Sequence, residues 1–183
     1  MELTRKFKRS PQSGMSLIEM MIASLVLIVG VLGTAVLIPI AIETNARNRQ
    51  QSNSTVIAQM TMEKITSAST AGVTAVTITD CAGATNTINL AGSAGGTGSA
   101  VLASGSIDFT QAQGSAGAPA GYYMSYTNCG TAGRQSMYDT RWNIQTPSTY
   151  VKLVTVSARL QGSGTDALMF SLPVTIRSMV GGQ

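Results

Sequence analysis

The sequence predicts an α+β fold: a long N-terminal helix, membrane-spanning in its first half, packed on a C-terminal antiparallel β-sheet. Three observations predict it. From Met15 to Ile42 the chain is almost wholly apolar, with Glu19 its only charge. An apolar stripe at helical spacing comes next. Beyond Ala71 the hydrophobic period changes from about 3.6 to 2. The 183 residues suffice for one domain and one anchor, not for two sizeable cores.

Residues 1–14 read as a basic leader. Arg5, Lys6, Lys8 and Arg9 precede Gly14, with Glu2 the only acid among them. Without these four of the 12 basic residues and this one of the 8 acidic, the remainder holds 8 basic against 7 acidic, or +1. The basicity is therefore a topology signal that keeps the leader cytoplasmic. A nucleic-acid footprint needs a basic patch on the folded domain, so no nucleic-acid partner is predicted.

Residues 15–42 form the anchor. The uncharged stretch from Met20 to Ile42 exceeds the roughly 18 residues that flag a spanning helix. It is also longer than the ~7–15-residue core of a secretory signal. Residues 43–71 continue the helix, with Glu43 and Arg47 one turn apart. Thr44 to Thr55 is polar on every side; then Ile57, Ala58, Met62, Ile65 and Ala68 make a one-sided stripe. A single helix from Met15 to about Ala71 would run roughly 80 Å. Gly30, Gly33 and Pro39 fall inside it, as membrane helices tolerate.

Residues 72–183 form an exported, β-rich head. Val73 to Thr79 predicts a first strand. Ala91 to Ser106 is low in complexity and predicts a flexible surface loop; Gln111 to Gly121 is a second loose stretch. Along Tyr138 to Gln145, Tyr138, Thr140, Trp142 and Ile144 share one face; Asp139, Arg141, Asn143 and Gln145 share the other. That alternation predicts one face on a core and one in water, with Trp142 as packing rather than a ligand platform. A turn at Thr146 to Thr149 leads to a strand over Tyr150 to Leu160. A second turn at Gln161 to Thr165 leads to a last strand over Leu168 to Arg177, with Pro173 near an edge. The three strands predict an antiparallel meander.

The sequence has no histidine. That excludes His-based acid–base chemistry, Ser-His-Asp and Cys-His arrangements and His-containing zinc sites. Asp80, Asp108, Asp139 and Asp166 stand singly. Gly95, Gly96 and Gly98 lack the Lys and the strand–helix context of a phosphate loop. The expectation is a non-enzyme without cofactor or metal. Cys81 and Cys129 are the only cysteines. They predict either a disulfide, common in an exported protein, or two small unpaired residues. Closing that loop stabilises by roughly 4 kcal/mol on the chain-entropy model.

A basic leader ending in Gly14, then Met15-Ser16-Leu17-Ile18-Glu19 and an apolar helix, resembles the type IV pilin-like proteins. These include pilins, minor pilins and the pseudopilins of type II secretion. The resemblance implies a pilin-like fold. It implies that a prepilin peptidase cuts between Gly14 and Met15 and N-methylates Met15, where the family most often has Phe. It also implies that Glu19 meets the terminal amine of a neighbouring subunit, so that a costly buried carboxylate selects for assembly. The alternative is a carboxylate near the membrane face that reaches headgroups or water. Arg141-Trp142-x-Ile144, a turn with Pro147 and Lys152-Leu153-Val154-Thr155-Val156 look like the V-type minor pilins and the I-type minor pseudopilins. Thr55 to Met60 and Glu63-Lys64-Ile65 fit the same subgroup.

The implied function is a structural minor subunit of a type IV pilus or related filament, with a tip or initiation role in view. The alternatives are a minor pseudopilin of type II secretion, or a minor pilin of DNA uptake or adhesion. The implied partners are a prepilin peptidase, other pilin or pseudopilin subunits and the inner membrane. The implied location is single-pass in a bacterial inner membrane, then a pilus or periplasmic pseudopilus.

Overall fold

A computed structural model describes residues 14–130, 135–162 and 172–181. The charged part of the leader, Asp166 and the start of the last predicted strand at Leu168 lie outside them. The chain divides into two compact units, one reaching to Asn45 and one from Ala46 onward. A single helix, α1 (Leu17–Thr70), contributes to both, close to the predicted limits.

In the first unit every described residue is exposed. Pro39 lies within the helix. Gly30 and Gly33 meet nothing within 4 Å of a would-be Cβ, so neither glycine is required by packing inside this chain. The hydroxyls of Ser24 and Thr34 donate to the carbonyls of Met21 and Val31, 2.8 and 2.9 Å away. Such bonds satisfy the hydroxyls within the helix itself.

In the second unit α1 lays its stripe on a sheet. Ile57, Ala58, Met62, Ile65 and Ala68 are all buried in one apolar cluster with Tyr138, Trp142, Ile144, Val154 and Val156. The buried Thr61 hydroxyl donates to the Ile57 carbonyl at 2.8 Å, so it needs no partner from the core. Strands β1 (Ala75–Thr79) and β2 (Thr85–Asn89) form an antiparallel hairpin, the first inside the predicted span and the second unforeseen. The remaining strands are β3 (Thr97–Gly98), β4 (Tyr123–Cys129), β5 (Gln135–Ser148), β6 (Val151–Leu160) and β7 (Val174–Gly181). They form one antiparallel sheet. β5 pairs with β6 on one side and with β4 and β3 on the other; β6 pairs with β7. The predicted meander is β5-β6-β7, and Pro173 stands just before the edge strand β7.

The structure corrects several expectations. Ala91 to Ser106 is not a free surface loop. It supplies β3, a bridge from Ser93 to Gln145 and the fully buried Ser99. Gly98 explains why such a sequence packs here: its φ is +116°, and a Cβ would stand 2.5 Å from the Tyr122 ring and 2.6 Å from the Trp142 carbonyl oxygen. β5 runs on through the predicted turn at Thr146 to Ser148, with a register shift between Gln145 and Ser148. Tyr150 consequently sits exposed in the turn rather than in the predicted strand.

The largest correction concerns the polar face of β5. Asp139, Arg141 and Asn143 are buried rather than facing water, because the 99–113 segment covers them. Asn143 donates to the Ser99 carbonyl at 2.9 Å and Arg141 to that of Gln111 at 2.8 Å. Arg141 also pairs with Asp139 at 2.8 Å, and Gln113 donates to the other Asp139 oxygen at 2.9 Å. The guanidinium carbons of Arg141 and Arg159 lie 4.9 and 4.5 Å from the centre of the Phe109 ring, an arrangement that favours a cation electrostatically.

Candidate functional site

The charge in the apolar run is placed by the local rules of helix entry. Gly14, Met15 and Ser16 precede the helix without regular structure. The Ser16 carbonyl accepts the amides of Glu19 and Met20 at 3.0 and 3.2 Å, which makes Ser16 the helix N-cap. Ser16-x-x-Glu19 has the spacing of a capping box. Ser16 is thus a structural residue that hydrophobic periodicity alone does not pick out, although the spacing is legible in the sequence. It sets Glu19 in the first helical turn, where the dipole favours an anion.

Gly14 meets nothing within 4 Å of a would-be Cβ and has no left-handed backbone to explain it. Among the described residues, packing therefore makes no demand for glycine at this position. Met15 is 70% exposed beside it. From Leu17 to Ile42 every large apolar side chain is at least 54% exposed. An apolar surface of that extent marks an interaction with membrane or protein. Among the described residues this is the one helix long and apolar enough to cross a membrane. Gly14, Met15 and Glu19 thus sit together at its start.

The described aspartates, Asp80, Asp108 and Asp139, have structural tasks. Asp80 closes the β1–β2 turn by accepting the amides of Ala82 and Ala84 at 3.0 and 2.8 Å. Its second oxygen accepts the amide of Thr127 on β4 at 3.1 Å. Burial works against its charge, yet the amides of Thr127, Ala84 and Ala82 together hold its carboxyl below the ordinary range. Asp108 is also held low, first by the Thr110 hydroxyl at 2.6 Å, then by the Thr110 amide and Gln111. Burial opposes this, and Arg141 adds to it. Asp139 is engaged by Arg141 under the 99–113 cover. Cys81, next to Asp80, is joined to Cys129 at the end of β4, with Cα atoms 5.9 Å apart. Asp80 and this bridge together tie the β1–β2 turn to the main sheet.

Residues 9–35 match the family model of the prokaryotic N-terminal methylation motif, a span that holds Gly14, Met15 and Glu19. The chain thus carries a type IV pilin-like prepilin motif. No curated protein and no solved structure matches the chain.

Proposed function

We propose, from the prepilin-type motif and the exposed apolar helix that carries it, that this chain is a minor subunit of a type IV pilus or related filament. The motif itself supports a subunit of pilin or pseudopilin type, processed by a prepilin peptidase and assembled with other such subunits. In this reading the peptidase cuts between Gly14 and Met15 and methylates the new amine. Residues 15–42 anchor the chain in the inner membrane and later pack in a filament core. Residues 43–71 continue the helix, and the head at 72–183 is exported.

One observation carries the reading: the motif coincides with the start of α1, where every large apolar side chain from Leu17 to Ile42 is exposed and the one charge is Glu19. A bare carboxylate in that surface is costly when the surface becomes buried, and it survives when a positive charge meets it. The Met15 amine of a neighbouring subunit supplies that charge. The preference for a minor subunit rests on the β5–β6 and helix resemblance, and a tip or initiation role belongs to the same proposal.

The test is Glu19→Ala in a strain lacking the native chain, with Glu19→Asp beside it. The expected outcome is loss of the subunit from sheared filaments or from pull-downs of its partner subunits, while the membrane level of the protein is unchanged. Wild-type incorporation of Glu19→Ala would remove the role assigned to Glu19.

A further inference from the structure

A small polar cavity of about 200 Å³ opens between the head portion of α1 and the β4–β5 hairpin. Arg49, Gln50 and Asn53 line it from the helix, Asn128 from β4, and Ser136 and Tyr138 from β5. The strand register sets Asn128 opposite Ser136, so both reach the cavity from one pair. Among the described residues no carboxylate lines it, and Arg49 is the charged side chain that does. Tyr138 is fully buried, and its hydroxyl has no hydrogen-bond partner among the described residues. An unpaired buried hydroxyl costs free energy that a bound acceptor restores. The guanidinium and the side-chain amides are donors in quantity.

We infer that this cavity binds a carboxylate group. The charge of Arg49 selects an anion, and a planar fork of N–H donors matches a carboxylate well. Tyr138 donates to the anion from the floor. The small volume admits a short carboxylate, or the end of an acidic side chain that a second copy of this chain inserts. The ligand chemistry is the same from either source.

The experiment uses the full chain in detergent micelles, with the side-chain amide signals of Asn53 and Asn128 followed by NMR during titration with sodium acetate. Sodium chloride at equal ionic strength is the control. Saturable shifts with acetate are expected, with the dissociation constant raised about fivefold by Tyr138→Phe, the worth of one hydrogen bond. Arg49→Gln should raise it further. Lys64→Gln removes the same charge elsewhere on α1 and should leave it unchanged. The Tyr138→Phe variant retains the ring, so its fold is checked by unchanged core signals.

A second arm measures self-association of the same samples by sedimentation. Acetate that dissolves oligomers of the wild type but not of Arg49→Gln assigns the pocket to a carboxylate on a second copy. Acetate binding that leaves sedimentation unchanged assigns it to a free carboxylate. Absence of saturable shifts, or equal shifts with chloride, overturns the inference. Equal weakening by Lys64→Gln and Arg49→Gln overturns it too, by reducing the effect to net charge.

Discussion

Arg141 holds down the cover on β5, and its surroundings set what its loss must do. Its guanidinium and the Asp139 carboxylate are 3% and 4% exposed, with Arg159 a more distant partner at 3.7 Å. Removing one member of a buried pair strands the other's charge, which costs about 3–5 kcal/mol. Arg141→Ala is therefore expected to lower the unfolding free energy by an amount of that order, read by urea unfolding of the head's tryptophan signal. A loss under about 1 kcal/mol, the range of an exposed pair, would show that Asp139 is already satisfied by Arg159 and Gln113. Acid acts through Asp80 and Asp108. Asp80 and Asp108 have folded-state carboxyls held below 3.8, so the unfolded chain takes up protons first. Their contribution is present above that value and is lost as pH falls through it and below. The melting temperature should drop across this window, and the drop should shrink in Asp80→Asn. An equal acid slope in the variant would assign the effect elsewhere.

At the scale of elements, the helix and the β5-β6-β7 meander are legible because their signals are local and periodic. The stripe from Ile57 to Ala68 and the alternation around Trp142 each need only a short window. β2, β3 and β4 give no such window. β2 buries only Ile88 fully, β3 is two residues long, and β4 buries Met124 and Thr127, which are three apart and so break a period of two. The polar face of β5 departs from expectation for a related reason. Asp139, Arg141 and Asn143 alternate as solvent-facing residues do, and a sequence pattern does not tell water from a polar cover supplied 30 or more residues away. The cover itself looks like a loop because its packing relies on Gly98, where close approach needs the absence of a side chain. The staple at Cys81 and Cys129 spans 48 residues and ties the β1–β2 turn to β4. Its removal in a Cys81→Ser/Cys129→Ser double variant should cost roughly 4 kcal/mol on the chain-entropy account. The check is a denaturation midpoint for the variant against the oxidised parent; equal midpoints would mean that Asp80 and the hairpin contacts hold the turn unaided.

For the whole molecule, the N-terminal segment and the head differ in how their sites are written in the chain. The prepilin-type segment is legible because leader, Gly14, Met15 and Glu19 come in fixed order within a few residues, and the motif match at 9–35 falls on them. The carboxylate pocket is not, because Arg49 and Tyr138 come together only through the fold. The exposed apolar surface of residues 17–42 is what the proposed membrane anchor and filament core would cover. The central claim is that the chain is processed at Gly14 and assembled through the apolar helix that begins at Leu17. Mass spectrometry of the N-terminus of the native protein tests it most directly. The account predicts a chain that begins at Met15 and carries one added methyl group. A chain that retains Met1 with its leader intact, or one cut beyond Ile42, would contradict it.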